Sequence, residues 1–594
     1  MGRRVHEVAA LANISSRDVI RALVEIGEFV KGPSSVLQEP VIRRLIDSGK
    51  LTLEPTDAVS APSPESFPVG SRTPQSIESG WRAGAVRAPT HDDLLRNTDS
   101  LLNAFPKLKS YKSALNDLGS QIVYAGRCRD RNFDECGVAL VRFSGAIEEA
   151  FGFTREVMIF FSPHRDLQIR TYQAAVRELK TLRREVTPDL IFVSSPDPRV
   201  RAKLEDWSTP SLQGIPLGGE EEVTALGLIS HIRDYVFTRN LFYETGPVSG
   251  DRFFGRRELL QSLRDDILHG RVAGLFGLRK AGKTSVLMQL ASDLEGRSIV
   301  SVFMDLEAFP SPPDDPTDEI LTTLRLSLLE QLRAHGLRTK ELAELPASPS
   351  IVEFKVAFQA LLKRIEGSGD RILLLLDEIE YLTPADAIDV AEGSMPRVAQ
   401  FLAALRSIAQ ENSNFTFLLS GLTSAIIESG RLYGRPNPLF SWAKAYYLGP
   451  LSLAEASDLA VSVGARMGIE LEEKALSALY EASGGHAFLY RNFASTVVQT
   501  LPIDVFRRRL TKSIVLSELR DWRARVHGNI TEMIAHVTRY YPTESVLLDL
   551  LRDDASEFAS FEETDPSAVR HLIDLGLVQI EGGEYELNPV LALQ

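Results

Sequence analysis

The sequence predicts a multidomain α/β protein. A parallel sheet built round a glycine-rich loop is followed by a helical lid and a C-terminal helix-and-hairpin module. A separate α/β domain and a small helical N-terminal module precede it. Three observations predict this. The apolar run Val272 to Phe276 leads into Gly277-Leu278-Arg279-Lys280-Ala281-Gly282-Lys283-Thr284, and the helix-patterned stretch Ser285-Val-Leu-Met-Gln-Leu-Ala291 follows. A second apolar run, Arg371-Ile-Leu-Leu-Leu-Leu-Asp377-Glu378, ends in two carboxylates. Finally, 594 residues exceed what one core holds, and imply about three to five domains.

The first segment fits G-x-x-x-x-G-K-[ST], a phosphate-binding P-loop. Its glycines let the backbone N–H groups of residues 277–282 turn inward round phosphate oxygens. The helix opening at Lys283, Thr284 and Ser285 adds the partial positive charge of its N-terminus. Lys283 is placed to reach the β- and γ-phosphates, and Thr284 to ligate Mg²⁺. A run of leucines reads as a strand buried on both faces. Such a strand delivers Asp377 and Glu378 to the sheet's C-terminal edge, where α/β sheets bind ligands. Asp377 is expected to hold Mg²⁺ and Glu378 to act on the attacking water as general base.

Taken from the N-terminus, residues 1–48 read as short helices. Val5 to Ala12 is apolar at helical spacing, Ser16 caps Arg17 to Ile26, Gly27 stops that helix, and Val41 to Ile46 follows Pro40. Arg17, Arg21, Lys31, Arg43 and Arg44 suit RNA or DNA phosphates. Nearby acids almost balance them, so a protein-docking module with solvated arginines fits equally. Residues 49–95 are Pro- and Ser-rich linker. Residues 96–245 read as an α/β domain with strands at Gln121 to Ala125, Val138 to Phe143, Val157 to Phe161 and Leu190 to Ser194. The helical stretch Leu167 to Arg184 makes the last two a β-α-β unit and suggests a parallel sheet. Asp130, Asp134 and Glu135 cluster near Cys128 and Cys136, and Ser162-Pro-His164-Arg165-Asp166 follows a strand end. Both read either as pocket residues or as solvated loop and turn. Residues 246–450 hold the P-loop domain, 451–515 the lid, and 516–594 a winged helix. The winged helix comprises helices Ser545 to Leu551 and Pro566 to Leu575, then strands round the Gly582-Gly583 turn.

Phe253-Phe254-Gly255-Arg256-Arg257-Glu258-Leu259 resembles the entry motif of AAA+ and STAND-type ATPases. The resemblance implies that Phe254, Gly255 and Arg256 lie near the adenine. Phe415 to Gly421 resembles the strand carrying a polar sensor, here Ser420. Ser483-Gly484-Gly485-His486-Ala487-Phe488-Leu489 resembles the G-G-H-P segment of the archaeal branch of STAND proteins, with Ala487 in place of proline. It implies a nucleotide contact by His486. Arg431 and Arg435, in the loop after the sensor strand, suit either an arginine finger for a neighbouring subunit or a salt bridge. The N-terminal module is similar to the N-terminal domain of bacterial translation initiation factor 2.

Net charge −14 opposes non-specific nucleic-acid binding by the whole molecule. Two cysteines and no C-x-x-C pair point to a reducing cytoplasm without a disulfide scaffold or zinc site. The N-terminus has no signal-peptide core, and no apolar run is long enough to span a membrane. From Leu516 to Gln594, 15 acidic residues face 6 Lys/Arg, a net of −9, whereas a DNA-reading module is basic. That module is expected to dock near the basic residues Arg256, Arg257, Arg279 and Lys280. Any nucleic-acid contact then falls to the N-terminal module or to Arg507-Arg-Arg509-Leu-Thr-Lys512, which otherwise reads as a solvated helix face. No N-K-x-D guanine motif follows, so the expected cofactors are ATP and Mg²⁺. The expectation is a switch ATPase acting through self-association or a protein partner. A nucleic-acid-dependent loader or motor and an inactive nucleotide-binding scaffold are the alternatives.

Overall fold

The computed structural model describes residues 3–4, 36–37, 91–105, 108–153, 155–182, 186–209, 212–217, 223–310, 315–383, 396–505 and 507–591. Residues Met1–Arg87 and Ala88–Gln594 form two compact units. In the first, Arg3–Arg4 pairs antiparallel with Val36–Leu37. The helices expected over 5–46, the arginines Arg17, Arg21, Arg43 and Arg44, Lys31, and most of the linker lie outside the described residues.

The second unit contains two five-stranded sheets. The first has strands β1 (Gln121–Arg127), β2 (Gly137–Arg142), β3 (Glu156–Phe161), β4 (Val186–Ser194) and β5 (Gln213–Leu217), in spatial order β1-β2-β3-β4-β5. β1, β2 and β3 run antiparallel, and β3, β4 and β5 parallel. The expected β-α-β unit is β3, helix α4 (Ile169–Thr181) and β4. The expectation of a parallel sheet holds for half of the sheet only: the short β1–β2 connection allows a hairpin, and only a long crossover allows parallel pairing. β5 was not expected. Its Pro216 cannot donate to a ladder, and it sits where proline is tolerated, on an edge strand. Helices α1 (His91–Ala104), α2 (Leu108–Asp117), α3 (Gly145–Phe151), α5 (Val200–Trp207) and α6 (Ala225–Val236) complete this domain.

Helix α7 (Arg257–Leu268) leads to the second sheet. Its strands are β6 (Ala273–Phe276), β7 (Ile299–Asp305), β8 (Arg371–Asp377), β9 (Phe415–Gly421) and β10 (Lys444–Tyr447). All run parallel, in the order β10-β6-β9-β8-β7. Leu373, Leu374, Leu375 and Leu376 of β8 are buried, as their run predicts. Helices α8 (Lys283–Leu294), α9 (Thr317–Ala334), α10 (Ile351–Glu366) and α11 (Pro396–Glu411) cover the sheet.

The lid is α12 (Leu453–Ala465), α13 (Glu473–Ser483) and α14 (Ala487–Gln499), with a parallel pair β11 (Ile469–Leu471) and β12 (Arg508–Leu510). β12 corrects the reading of the Arg507–Lys512 run. The run is strand rather than helix up to Leu510: Arg508 is buried over the Phe237 ring, whereas Arg507, Arg509 and Lys512 are exposed, Arg509 pairing with Glu470 at 3.2 Å. Helix α15 (Lys512–Tyr540) runs through residue 516, where lid and C-terminal module were divided. Its Trp522 is buried and stacks on Phe493 of the lid at 4.3 Å, which makes α15 part of the lid's core. Beyond it stand α16 (Pro542–Asp553), α17 (Ala555–Thr564), α18 (Pro566–Asp574) and an antiparallel hairpin, β13 (Val578–Glu581) and β14 (Glu584–Leu587).

The first sheet's domain is fastened to the lid. Asp189, at the start of β4's apolar stretch, accepts from Arg239 at 2.9 Å and from Arg466 at 3.2 Å, and Arg239 also donates to the Arg466 carbonyl. Asp189 and Arg239 are buried. Removing one member of such a set leaves charge stranded away from water.

Candidate nucleotide site

The loop leaves β6 at Gly277 and returns at Gly282, whose φ of 104° excludes a side-chain-bearing residue. α8 then begins at Lys283, so the partial positive charge of its N-terminus lies at the end of the loop. Lys283 is buried, and its ammonium donates to the Gly277 and Leu278 carbonyls at 3.3 Å each. Thr284 donates its hydroxyl to Asp377 Oδ2 at 2.6 Å. The expected phosphate lysine and the two expected metal ligands therefore stand together. A hydroxyl and a carboxylate are hard oxygen donors of the kind Mg²⁺ takes.

β9 lies between β6 and β8 and brings Ser420, fully buried, beside Asp377. Burial raises the Asp377 carboxyl above its usual range, while Thr284 and Ser420 act in the opposite direction. Glu378 follows with φ 56°, a left-handed conformation that costs an ordinary residue about 1–3 kcal/mol and points to a functional constraint. Its carboxyl is pushed up to about 7, by burial first and then by the hydrogen bond and charge of Glu380, against the pull of Lys283. Glu380 was not expected. It is buried and accepts from the Leu422 N–H at 3.0 Å, and a Cβ on Gly421 would meet its Oε2 at 2.4 Å. Its only sequence signal is its place two residues after Glu378. The site thus holds a carboxyl poised near neutral pH beside a metal-type carboxylate, which is what proton transfer from water needs.

The remaining expected residues surround the loop rather than its phosphate face. Ser285 accepts from the Val248 N–H at 3.0 Å. Ala281 is buried, and Leu278 is half-buried against the apolar core beneath the loop. Phe254 packs on the lid core. Gly255 (φ 72°) passes so close to Glu455 that a Cβ would meet its Oε1 at 2.7 Å. Arg256 donates its backbone N–H to Glu455 at 2.6 Å and its guanidinium to the carbonyls of Pro450 (2.7 Å) and Gly449. It therefore clamps the Gly449-Pro450 hinge into the lid. His486 caps α14, and its Nε2–H donates to the Arg279 carbonyl at 3.2 Å while Nδ1 faces the Leu489 N–H. Burial, then the nearby cations, lower it to about 4, so the ring is neutral and holds the loop's backbone. Ala487 occupies the first helical position, where proline is tolerated, so its substitution leaves the helix start intact. Arg431 and Arg435 are exposed on a short hairpin whose Leu432 and Tyr433 are buried, and Arg431 donates to the Gly434 carbonyl.

α15 reaches the loop from 250 residues away. Arg279 pairs with Glu532 at 2.9 Å. Lys280 donates to Asn529 at 2.7 Å and stands over the Phe488 ring. Asn588 of the C-terminal module donates to the Gly484 carbonyl at 3.1 Å. His571 of α18 lies between Glu544 (2.8 Å) and Glu428 of the sheet domain (3.4 Å). Burial opposes its charge, but the two carboxylates outweigh burial and raise it to about 9. α18 thus turns His571 inward, while Arg570 pairs with Asp574.

No family model matches the chain. Among solved structures it is similar to a Walker-type ATPase of Pyrococcus abyssi (14% identity, 59% of this chain and 98% of that one, TM-score 0.42). It is also similar to the ORC2 protein of Aeropyrum pernix (16% identity, 60% and 95%, TM-score 0.37). RuvB of Thermotoga maritima follows at 14% identity, 57% and 94%, and a TM-score of 0.29. At these values the likeness carries no argument beyond what the chain's own loop and sheet order provide. On its own strand–loop–helix, its five parallel strands and the Thr284–Asp377 contact, the chain has a P-loop NTPase fold.

Proposed function

We propose that the protein is an Mg²⁺-ATP-dependent switch ATPase of the STAND type, in which nucleotide state sets the position of lid and C-terminal module. The observation that carries the reading is the double use of the loop. Its inner side presents Lys283 and Thr284, the latter bonded to Asp377 of β8, and its outer cations Arg279 and Lys280 are held by α15. A movement of the loop on phosphate binding therefore acts directly on α15.

In this reading the loop N–H groups and Lys283 bind the phosphates. Thr284 and Asp377 hold Mg²⁺, which would neutralise phosphate charge. Glu378 takes the proton of the attacking water, with burial and then Glu380 keeping its carboxyl near neutral pKa. Ser420 stands buried beside Asp377 as the polar sensor residue. The acidic C-terminal module, a winged helix in this reading, serves as a docking lock and not as a DNA reader. Self-association or a protein partner is the output.

Exchange kinetics test the switch. Glu532→Arg in the full chain places like charge against Arg279, and release of a fluorescent ADP analogue is expected to quicken several-fold. An exchange rate equal to wild type sinks the switch role of α15. Turnover unchanged by DNA or RNA is expected as well, and strong stimulation by either would favour the loader reading.

A further inference from the structure

In the first sheet's domain, remote in sequence from the P-loop, three side chains of different donor type converge. Glu135 Oε1 lies 3.1 Å from His164 Nε2, and the ligand atoms of Glu135, Cys136 and His164 all fall within 4.8 Å of one another. The topology explains the meeting. Gly137 of β2 pairs with Phe161 of β3, so Cys136 before one strand faces the chain leaving the other. This edge is the C-terminal end of the parallel β3–β4 pair, where sheets of this kind place ligands.

The loop bearing His164 is built rather than loose. Ser162 N–H donates to the Ser194 carbonyl at 2.9 Å, and the Ser162 hydroxyl accepts from the His164 N–H at 3.3 Å. Ser195 donates to the His164 carbonyl at 3.1 Å. Asp197 accepts from the Leu167 N–H at 2.8 Å and from Lys203 at 2.7 Å. Cys136 is fully buried with Ser162 beside its thiol, whereas Glu135 is exposed and His164 partly so. A buried sulfur thus lies beneath an imidazole whose backbone is held by the loop, and an exposed carboxylate pairs with that imidazole at the rim.

We propose that Glu135, Cys136 and His164 form a transition-metal site that takes Zn²⁺, with a fourth position left to water or an incoming ligand. The donor set decides the ion. Thiolate and imidazole select zinc over magnesium or calcium, which want oxygens alone. Three protein ligands with an open position make the zinc arrangement that leaves room for chemistry or for a further ligand. Tetrahedral zinc draws its ligand atoms to roughly 3.5 Å of one another, and the exposed Glu135 side chain supplies the movement. Cys136 binds as thiolate and its proton passes to solvent. This replaces the expectation of no zinc site, which rested on the lack of a C-x-x-C pair. Here two of the ligands come from one turn and the third from across the sheet.

Co²⁺ is the probe, added to tag-free, nucleotide-free full-length protein. The expected result is one Co²⁺ per chain with a thiolate-to-cobalt charge-transfer band, displaced by Zn²⁺. The oxygen donors at the P-loop cannot give that band. Cys136→Ser is expected to abolish it and Cys128→Ser to keep it. His164→Ala and Glu135→Gln, both at exposed or partly exposed positions, are expected to weaken binding by at least ~10-fold. Absence of the band, or its survival in Cys136→Ser, overturns the proposal. Should Cys136→Ser fail to fold, unchanged affinity in both other variants overturns it.

Discussion

Replacing Glu378 by Gln is expected to stabilise the nucleotide-free protein above neutral pH while removing turnover. The carboxyl is raised from 4.5 to about 7, by burial first and then by Glu380. In the unfolded chain it ionises near its ordinary value; in the folded chain it stays protonated until about pH 7. Folding therefore takes up a proton between these values. The contribution of Glu378 to stability is full below about pH 4.5 and is lost as pH rises through about 7. A tenfold change in proton affinity is worth about 1.4 kcal/mol, so the whole interval corresponds to roughly 3 kcal/mol. Sharing of the proton with Glu380 and local relaxation lower the expected gain to about 1–2 kcal/mol. The amide stays neutral at every pH and keeps the shape, so the variant escapes the loss. Urea midpoints of both proteins from pH 5 to 8.5 provide the assay. The difference should be near zero at the acid end and grow in favour of the variant until about pH 7.5. Its turnover should meanwhile fall by roughly two to four orders of magnitude. A difference that does not change with pH would refute the claim that burial holds this carboxyl protonated. Wild-type turnover would return Glu378 to a structural role.

Lys283→Ala is expected to abolish Mg-ATP binding by calorimetry, because that ammonium is the cation enclosed within the loop; undiminished affinity would remove the phosphate-site reading. Asp189→Ala should cost about 3–5 kcal/mol in urea unfolding, since it strands the buried Arg239 and leaves Arg466 without its carboxylate. A loss below 1 kcal/mol would mean that water reaches the joint. His571→Gln tests the junction of α18 with Glu544 and Glu428. The raised imidazole stabilises fully below pH 6.5 and loses its effect as pH rises through about 9. Wild type should therefore weaken between pH 7 and 9.5 and the variant should not, with equal slopes telling against the ion-paired histidine.

What the sequence disclosed about the site follows from the range of the forces involved. Gly277 to Thr284 and Leu373 to Glu378 are local signals: a turn that needs glycines, a helix N-terminus, and a leucine run of strand length between polar residues. Their partners were legible for the same reason, and Thr284 meets Asp377 as the motif requires. Glu380, Asn529 and Glu532 act through tertiary approach and leave no spacing to detect. Glu532 is one acid among several on α15, and only the docking of that helix on the loop sets it apart. The same limit explains the first sheet. β5 was hidden by Pro216, which is disallowed in a central strand and admitted only because this strand is an edge. Charge counting anticipated that the acidic C-terminal region turns to the basic loop. Two of the four cations expected at that junction meet it, Arg279 through Glu532 and Lys280 through Asn529, whereas Arg256 donates to the Gly449 and Pro450 carbonyls. Net charge fixes where a surface is drawn, through a field that sums over many residues. Which guanidinium meets which acceptor is set by packing at a few ångströms. In the proposed switch the nucleotide chemistry is therefore legible in the sequence and the coupling only in the fold.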